Sequence, residues 1–141
     1  FIAPNLALES PEKTMYSLED YKGQPVLIFF WASWCSICKR IMPELQRVYD
    51  TYQTQGFEIL AVNATTQDNL TEALNYFKTQ KYTYPMLLDT QGLVISTYQL
   101  RAFPTAVLVR PDGVIDDVVI GAGLNNAYLT AKLEQILSGE D

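Results

Sequence analysis

Val26-Leu27-Ile28-Phe29-Phe30-Trp31-Ala32-Ser33-Trp34-Cys35-Ser36-Ile37-Cys38-Lys39 decides the reading of this chain. Its first six residues are an unbroken apolar run of strand length, the pattern of a central strand covered on both faces. Its end holds the only two cysteines of the protein, spaced Cys-x-x-Cys. Beyond them Ile37, Ile41, Leu45, Val48 and Tyr52 recur every three or four positions, which predicts a helix over 35–54 closed by Gly56. A Cys-x-x-Cys pair at the exit of a buried strand is the layout of a dithiol/disulfide redox centre.

The helix start suggests the chemistry. With the helix beginning at Cys35, its sulfur takes the N-cap place, where a side chain accepts a hydrogen bond from a backbone N–H two or three residues on. Free N–H groups and the positive end of the helix dipole there favour thiolate over thiol. Cys35 is therefore the expected nucleophile. Cys38, one turn later on the same face and within disulfide reach, is expected to resolve the mixed disulfide. The bland alternatives are a structural bridge or two inert core thiols. A bridge closing so small a loop removes little unfolded-state entropy and is a poor staple.

Working outward, 57–62 is a second apolar strand, and strand–helix–strand in this order implies a right-handed parallel crossover. An amphipathic helix is predicted near 68–80, with Leu70, Leu74 and Phe77 on one face, followed by a short strand over 85–88 and a helix over 92–100. Strands at 105–109 and 114–120 flank Pro111-Asp112-Gly113, a strong hairpin turn. A last helix spans about 124–138. Upstream, 5–16 reads as a short hairpin turning near Ser10-Pro11-Glu12, and 17–21 as a helical turn ended by Gly23. Residues 1–141 thus form a single α/β domain whose sheet starts parallel and ends in an antiparallel hairpin.

Composition removes several function classes. At 141 residues and 48% apolar, the chain suits one domain with a real core. The net charge of −6 and the absence of a basic patch argue against nucleic acid as a partner. No apolar run approaches the roughly 20 residues needed to cross a bilayer, and no signal-peptide pattern opens the chain. The start at Phe1 rather than Met is what a chain with its targeting segment removed would show. The sequence has no histidine, so Cys–His and Ser–His pairs are ruled out. Two cysteines fall short of the four ligands of a structural zinc site, and no metal or cofactor is expected. Gly121-Ala122-Gly123 lacks the context of a nucleotide loop and reads as a turn. Trp34 either packs beside Cys35, shaping a docking surface, or belongs to the core.

Residues Trp31 to Pro43 resemble the thioredoxin active-site segment, including the proline eight residues after the first cysteine. Phe103-Pro104-Thr105 resembles that family's cis-proline loop, which faces the dithiol and binds extended substrate. Ala3-Pro4-Asn5-Leu6, Ser17-Leu18, Tyr21 to Val26 and the helix–strand unit at 68–88 are similar to the TlpA/ResA-type members. The resemblance implies a thioredoxin-like fold: a central mixed sheet flanked by helices, an N-terminal β-hairpin and an inserted helix–strand unit. It also implies a thiol–disulfide oxidoreductase that reduces protein disulfides and is re-reduced by an electron-donor thiol protein. Cytochrome c maturation and extracytoplasmic redox homeostasis are the roles it suggests. The expected setting is bacterial and extracytoplasmic, with a membrane tether outside this chain. Trp34, Phe103, Pro104 and Thr105 become the substrate-binding residues.

Two family carboxylates are missing. Thioredoxins usually carry a buried acid six residues before the first cysteine, where Phe29 stands. Some cytochrome-maturation members carry a glutamate three residues after the second, where Ile41 stands. With no proline or histidine between the cysteines, a reducing or neutral couple is expected rather than a strong oxidant. Lys39 and Arg40 read as a solvated helix face. The alternatives are a thiol peroxidase on the same fold, opposed by Ala32 where that pattern needs threonine, and a peptide-binding module with vestigial cysteines.

Overall fold

A small antiparallel ribbon, β1 (Ala7–Glu9) and β2 (Met15–Ser17), opens the computed structural model, which describes residues 1–139. A 3-10 turn at Leu18–Tyr21 leads into β3 (Val26–Trp31), where every residue is buried. Its period of two sorts its side chains between the two faces. Leu27, Phe29 and Trp31 enter one apolar cluster, and Val26, Ile28 and Phe30 the other.

The chain then forms α1 (Ser36–Tyr52), β4 (Glu58–Asn63), α2 (Leu70–Gln80), β5 (Met86–Leu88), α3 (Leu93–Thr97), β6 (Thr105–Val109), β7 (Ile115–Ile120) and α4 (Asn126–Leu137). The five-stranded sheet has the order β5-β4-β3-β6-β7. Its β3–β4 and β4–β5 pairs are parallel, and its β3–β6 and β6–β7 pairs antiparallel. Side chains of α1, α2 and α4 build the cluster on one face; α3 and the N-terminal residues Ala3, Leu6 and Leu18 build the other. The expected central mixed sheet flanked by helices, the N-terminal hairpin and the inserted α2–β5 unit are all present.

Several elements differ in detail from the sequence reading. In α2 the buried position is Ala73, with Leu74 and Phe77 half-buried, whereas Leu70 is exposed. Leu70 lies in the first turn, at a rim where Asn69, Thr71 and Glu72 are exposed too. The helix expected over 92–100 is only five residues long, because Gln99 turns into the left-handed region at φ 55. The buried Asp89 carboxylate closes its start, accepting the N–H groups of Val94 and Ile95 at 3.3 and 2.9 Å. The β6–β7 hairpin turns at Pro111-Asp112-Gly113, where Gly113 has φ 86 and Asp112 accepts the Val114 N–H at 3.0 Å. Among the described residues no helix is long and apolar enough to cross a membrane.

Candidate active site

The site forms where β3 ends and α1 begins. Cys35 has extended backbone, φ −89 and ψ 105, and stands at the N-cap. Its N–H donates to the Ala32 carbonyl at 3.1 Å, and its Sγ accepts the Cys38 N–H at 3.2 Å. A helix N-cap normally uses an oxygen for this contact. Here the sulfur takes the oxygen's place, so the backbone dipoles that satisfy the helix end also solvate any charge on Cys35. The two sulfurs are bonded, with the Cα atoms 5.3 Å apart, so the site is in its oxidised state. Cys35 is 6% exposed and Cys38 0%. Cys38 is thus the more deeply buried of the two cysteines.

Trp34 is 58% exposed, so it does not belong to the core. Its Nε1–H donates to the Gln67 carbonyl at 2.8 Å, and its ring meets Phe103 edge-on, centroids 6.0 Å apart. The antiparallel register pairs Phe30 with Thr105, so Pro104 lies at the same end of the sheet as the Ala32–Cys35 turn. The Phe103–Pro104 peptide is cis. Thr105 is buried, and its Oγ1–H donates to the Ala102 carbonyl at 2.7 Å, so its hydroxyl braces the loop from within. Phe103 is half-buried and touches both apolar clusters. Trp34 and Phe103 thus offer an apolar rim beside the nearly covered Cys35.

Phe29 and Ile41 pack in the same apolar cluster as the two cysteines. Lys39 sets its ammonium over the Tyr76 ring, 5.2 Å from the centroid, and Arg40 is exposed. Among the described residues no group of three His, Cys, Asp or Glu side chains is placed to hold a metal ion.

A polar cluster beside the turn escaped the sequence reading. Asp68 accepts the Ser33 N–H at 2.6 Å, the Ser33 Oγ–H at 2.5 Å, an Asn63 Nδ2–H at 2.9 Å and the Asn69 N–H at 2.8 Å. Partial burial pushes its carboxyl up, but the bonds from Ser33, Asn63 and Asn69 together outweigh that and hold it below the usual carboxylate range. The available signal was Asn63: a polar residue directly after the apolar run Ile59-Leu60-Ala61-Val62 has to find partners when buried.

With this geometry in hand, comparison with known proteins is specific. Residues 2–118 match the AhpC/TSA family. The thiol-disulfide oxidoreductase ResA of Bacillus subtilis is 34% identical over 119 residues, which cover 84% of this chain and 65% of that protein. The chain therefore spans about two thirds of that relative's length. Among solved structures, StoA from Bacillus subtilis superposes with a TM-score of 0.79 at 27% identity, covering 91% of this chain and 95% of StoA. The exposed lipoprotein thioredoxin Etrx1 of Streptococcus pneumoniae gives 0.80 at 26% identity, covering 94% of this chain and 99% of Etrx1. The family match spans most of the chain, including the Cys35–Cys38 turn, and the fold agrees with it: the chain belongs to the AhpC/TSA family, with a thioredoxin-like fold.

Proposed function

We propose that this domain is a thiol–disulfide oxidoreductase that reduces disulfides in protein partners. The observation that carries the reading is the placement of the Cys35 sulfur at the α1 N-cap with Cys38 fully buried behind it. In the reduced domain the Cys35 thiolate attacks one sulfur of a partner disulfide. The partner S–S bond breaks, its second sulfur leaves as a thiolate and takes a proton, and Cys35 is held in a mixed disulfide. Cys38 then loses its proton and attacks the Cys35 sulfur. This forms the intramolecular disulfide and frees the partner as a dithiol. A donor thiol protein reverses the sequence and restores the reduced pair.

Trp34, Phe103, Pro104 and Thr105 form the docking loop pair in this reading. Trp34 and Phe103 supply apolar contact, and the loop before β6 presents its backbone to an extended segment. No carboxylate occupies the Phe29 or Ile41 position, so the Cys38 proton goes to solvent or to the departing partner thiolate. An extracytoplasmic setting fits the description of Etrx1 as an exposed lipoprotein. Reduction of apocytochrome c is the narrower role that the ResA-type resemblance suggests. Ala32 stands where the peroxidase pattern needs threonine, so the hydroxyl that would help to activate a peroxide is missing there, which disfavours the peroxidase alternative.

The test is the equilibrium potential of the Cys35–Cys38 couple against glutathione and dithiothreitol, together with reduction of insulin. A potential near that of thioredoxin, about −270 mV, with insulin reduced, supports the reading. A value near about −120 mV, that of a strong oxidant, would overturn the proposed direction.

Trp34→Ala is expected to lower kcat/KM for a protein disulfide by about tenfold, the size of one well-packed aromatic contact at a docking surface. The melting temperature should hardly move, because the ring is mostly solvated and its loss opens no cavity. Steady-state kinetics and thermal unfolding of the same sample check both halves. A large loss of stability with unchanged kcat/KM would assign Trp34 to packing instead.

A further inference from the structure

The turn that carries Cys35 is gripped from outside by the segment connecting β4 to α2. The Ala64 N–H donates to the Trp31 carbonyl at 2.9 Å, Asp68 takes both donors of Ser33, and the Gln67 carbonyl takes the Trp34 Nε1–H. Three points, Trp31 at the end of β3 and Ser33 and Trp34 in the turn that follows, are thus tied to one neighbouring loop. Asp68 is the centre of the grip. Each of its oxygens accepts two bonds: Oδ1 from the Ser33 hydroxyl and the Asn69 N–H, Oδ2 from the Ser33 N–H and Asn63. Ser33 and Asn63 are both buried. Two of the four donors, on Ser33 and Asn69, are backbone N–H groups, which cannot turn round and accept. An ionised carboxylate accepts on both oxygens and so takes all four bonds without reorienting the Ser33 hydroxyl.

Ser33 is two residues before the nucleophile, and the Cys35 N–H reaches back across it to Ala32. Fixing the Ser33 backbone and hydroxyl therefore fixes the turn on which the Cys35 sulfur is aimed at the Cys38 N–H. We propose that Asp68 is a positioning residue: by clamping Ser33 it holds the Cys35 sulfur at the α1 N-terminus, where backbone N–H groups stabilise the thiolate. This rests on the thiol–disulfide reading of the site. Two effects of the carboxylate oppose each other. Its negative charge, acting directly, would disfavour a nearby thiolate. Its clamp favours the thiolate through the N-cap geometry. The charge is partly offset where it sits, by the four hydrogen bonds that the carboxylate accepts, whereas the clamp acts on the turn itself through Ser33, so the clamp dominates.

The measurement is the pH dependence of iodoacetamide alkylation at Cys35 in a Cys38→Ser background, compared with Asp68→Asn and Ser33→Ala added to it. Asp68→Asn places an amide N–H against a donor and should cut the thiolate fraction at neutral pH about tenfold, moving the alkylation profile to higher pH. Ser33→Ala keeps the backbone bond and should move it in the same direction by less. A folded Asp68→Asn variant with an unchanged profile would overturn the proposal and leave Asp68 a merely structural residue. A shift to lower pH would overturn it in favour of direct charge repulsion. If Asp68→Asn does not fold, the Ser33→Ala profile decides alone, an unchanged profile again counting against the clamp. The readout needs no protein partner. A chain that shows the shift but does not reduce insulin would refute the proposed function while supporting the clamp.

Discussion

Cys38→Ser is expected to turn the domain into a covalent trap, and Cys35→Ser to leave it inert. With Cys38 removed, attack by Cys35 still forms the mixed disulfide, but no second sulfur lies behind it to release the partner. Partner adducts should accumulate on Cys35 and disappear with dithiothreitol. With Cys35 removed, the remaining Cys38 thiol is fully buried and cannot meet a partner sulfur. It also lacks the N-cap position that favours a thiolate. Turnover on a protein disulfide should fall by roughly 10³-fold or more in both variants, because nucleophile and resolving group act as one unit and the losses do not add. Mass spectrometry of adducts on each variant, with insulin reduction alongside, checks the assignment. Adducts on Cys38 in the Cys35→Ser protein would reverse the two roles.

The sheet and its central helix were legible because their signals are local. An unbroken apolar run has one stable reading when both faces must be covered, and β3 is buried along its whole length. The three- and four-residue spacing after Cys35 predicts α1, whose buried residues include Ile41, Leu45 and Val48. The N-cap role of Cys35 followed from where the strand had to stop. What stayed hidden depends on contacts between distant segments. Apolar Tyr98 and Leu100 prolong the apparent helix over 92–100, but the Tyr98 hydroxyl is claimed by the Pro4 carbonyl at 2.5 Å and the backbone turns at Gln99. Leu70 fits the helical stripe by angle yet lies beyond the part of α2 that meets the core. The Asp68 clamp joins residues 35 positions apart and has no periodicity to betray it. Trp34 shows the limit of composition: an aromatic beside a buried strand reads equally as core or rim until its neighbours are placed.

Phe29→Asp, which would restore the carboxyl that thioredoxins carry at this position, is expected to be the most destabilising of these changes. Phe29 is 0% exposed and faces the cysteine side of the sheet. Its partners across the sheet are Ala61 on β4 and Ala106 on β6, so the ring fills space that two small neighbours leave open. Removing such a ring costs about 3–5 kcal/mol by the cavity it leaves. A carboxyl with no partner adds about 1–3 kcal/mol. Against a typical domain stability of roughly 5–15 kcal/mol, the variant should be marginal at neutral pH. The pH dependence has a definite sign. Burial raises the folded-state pKa of the new carboxyl above its unfolded value, so protonation favours the folded form, and stability is lost as pH rises through that raised pKa. Phe29→Ala serves as the control, with the cavity and no titrating group. Urea unfolding of both variants at two pH values isolates the charge from the cavity. A loss below about 2 kcal/mol for Phe29→Asp, well under the cavity cost alone, would mean that the pocket already admits water and could serve a proton relay. The expected larger loss would mean that packing around Phe29 excludes such a relay, leaving the departing partner thiolate or solvent to take the Cys38 proton.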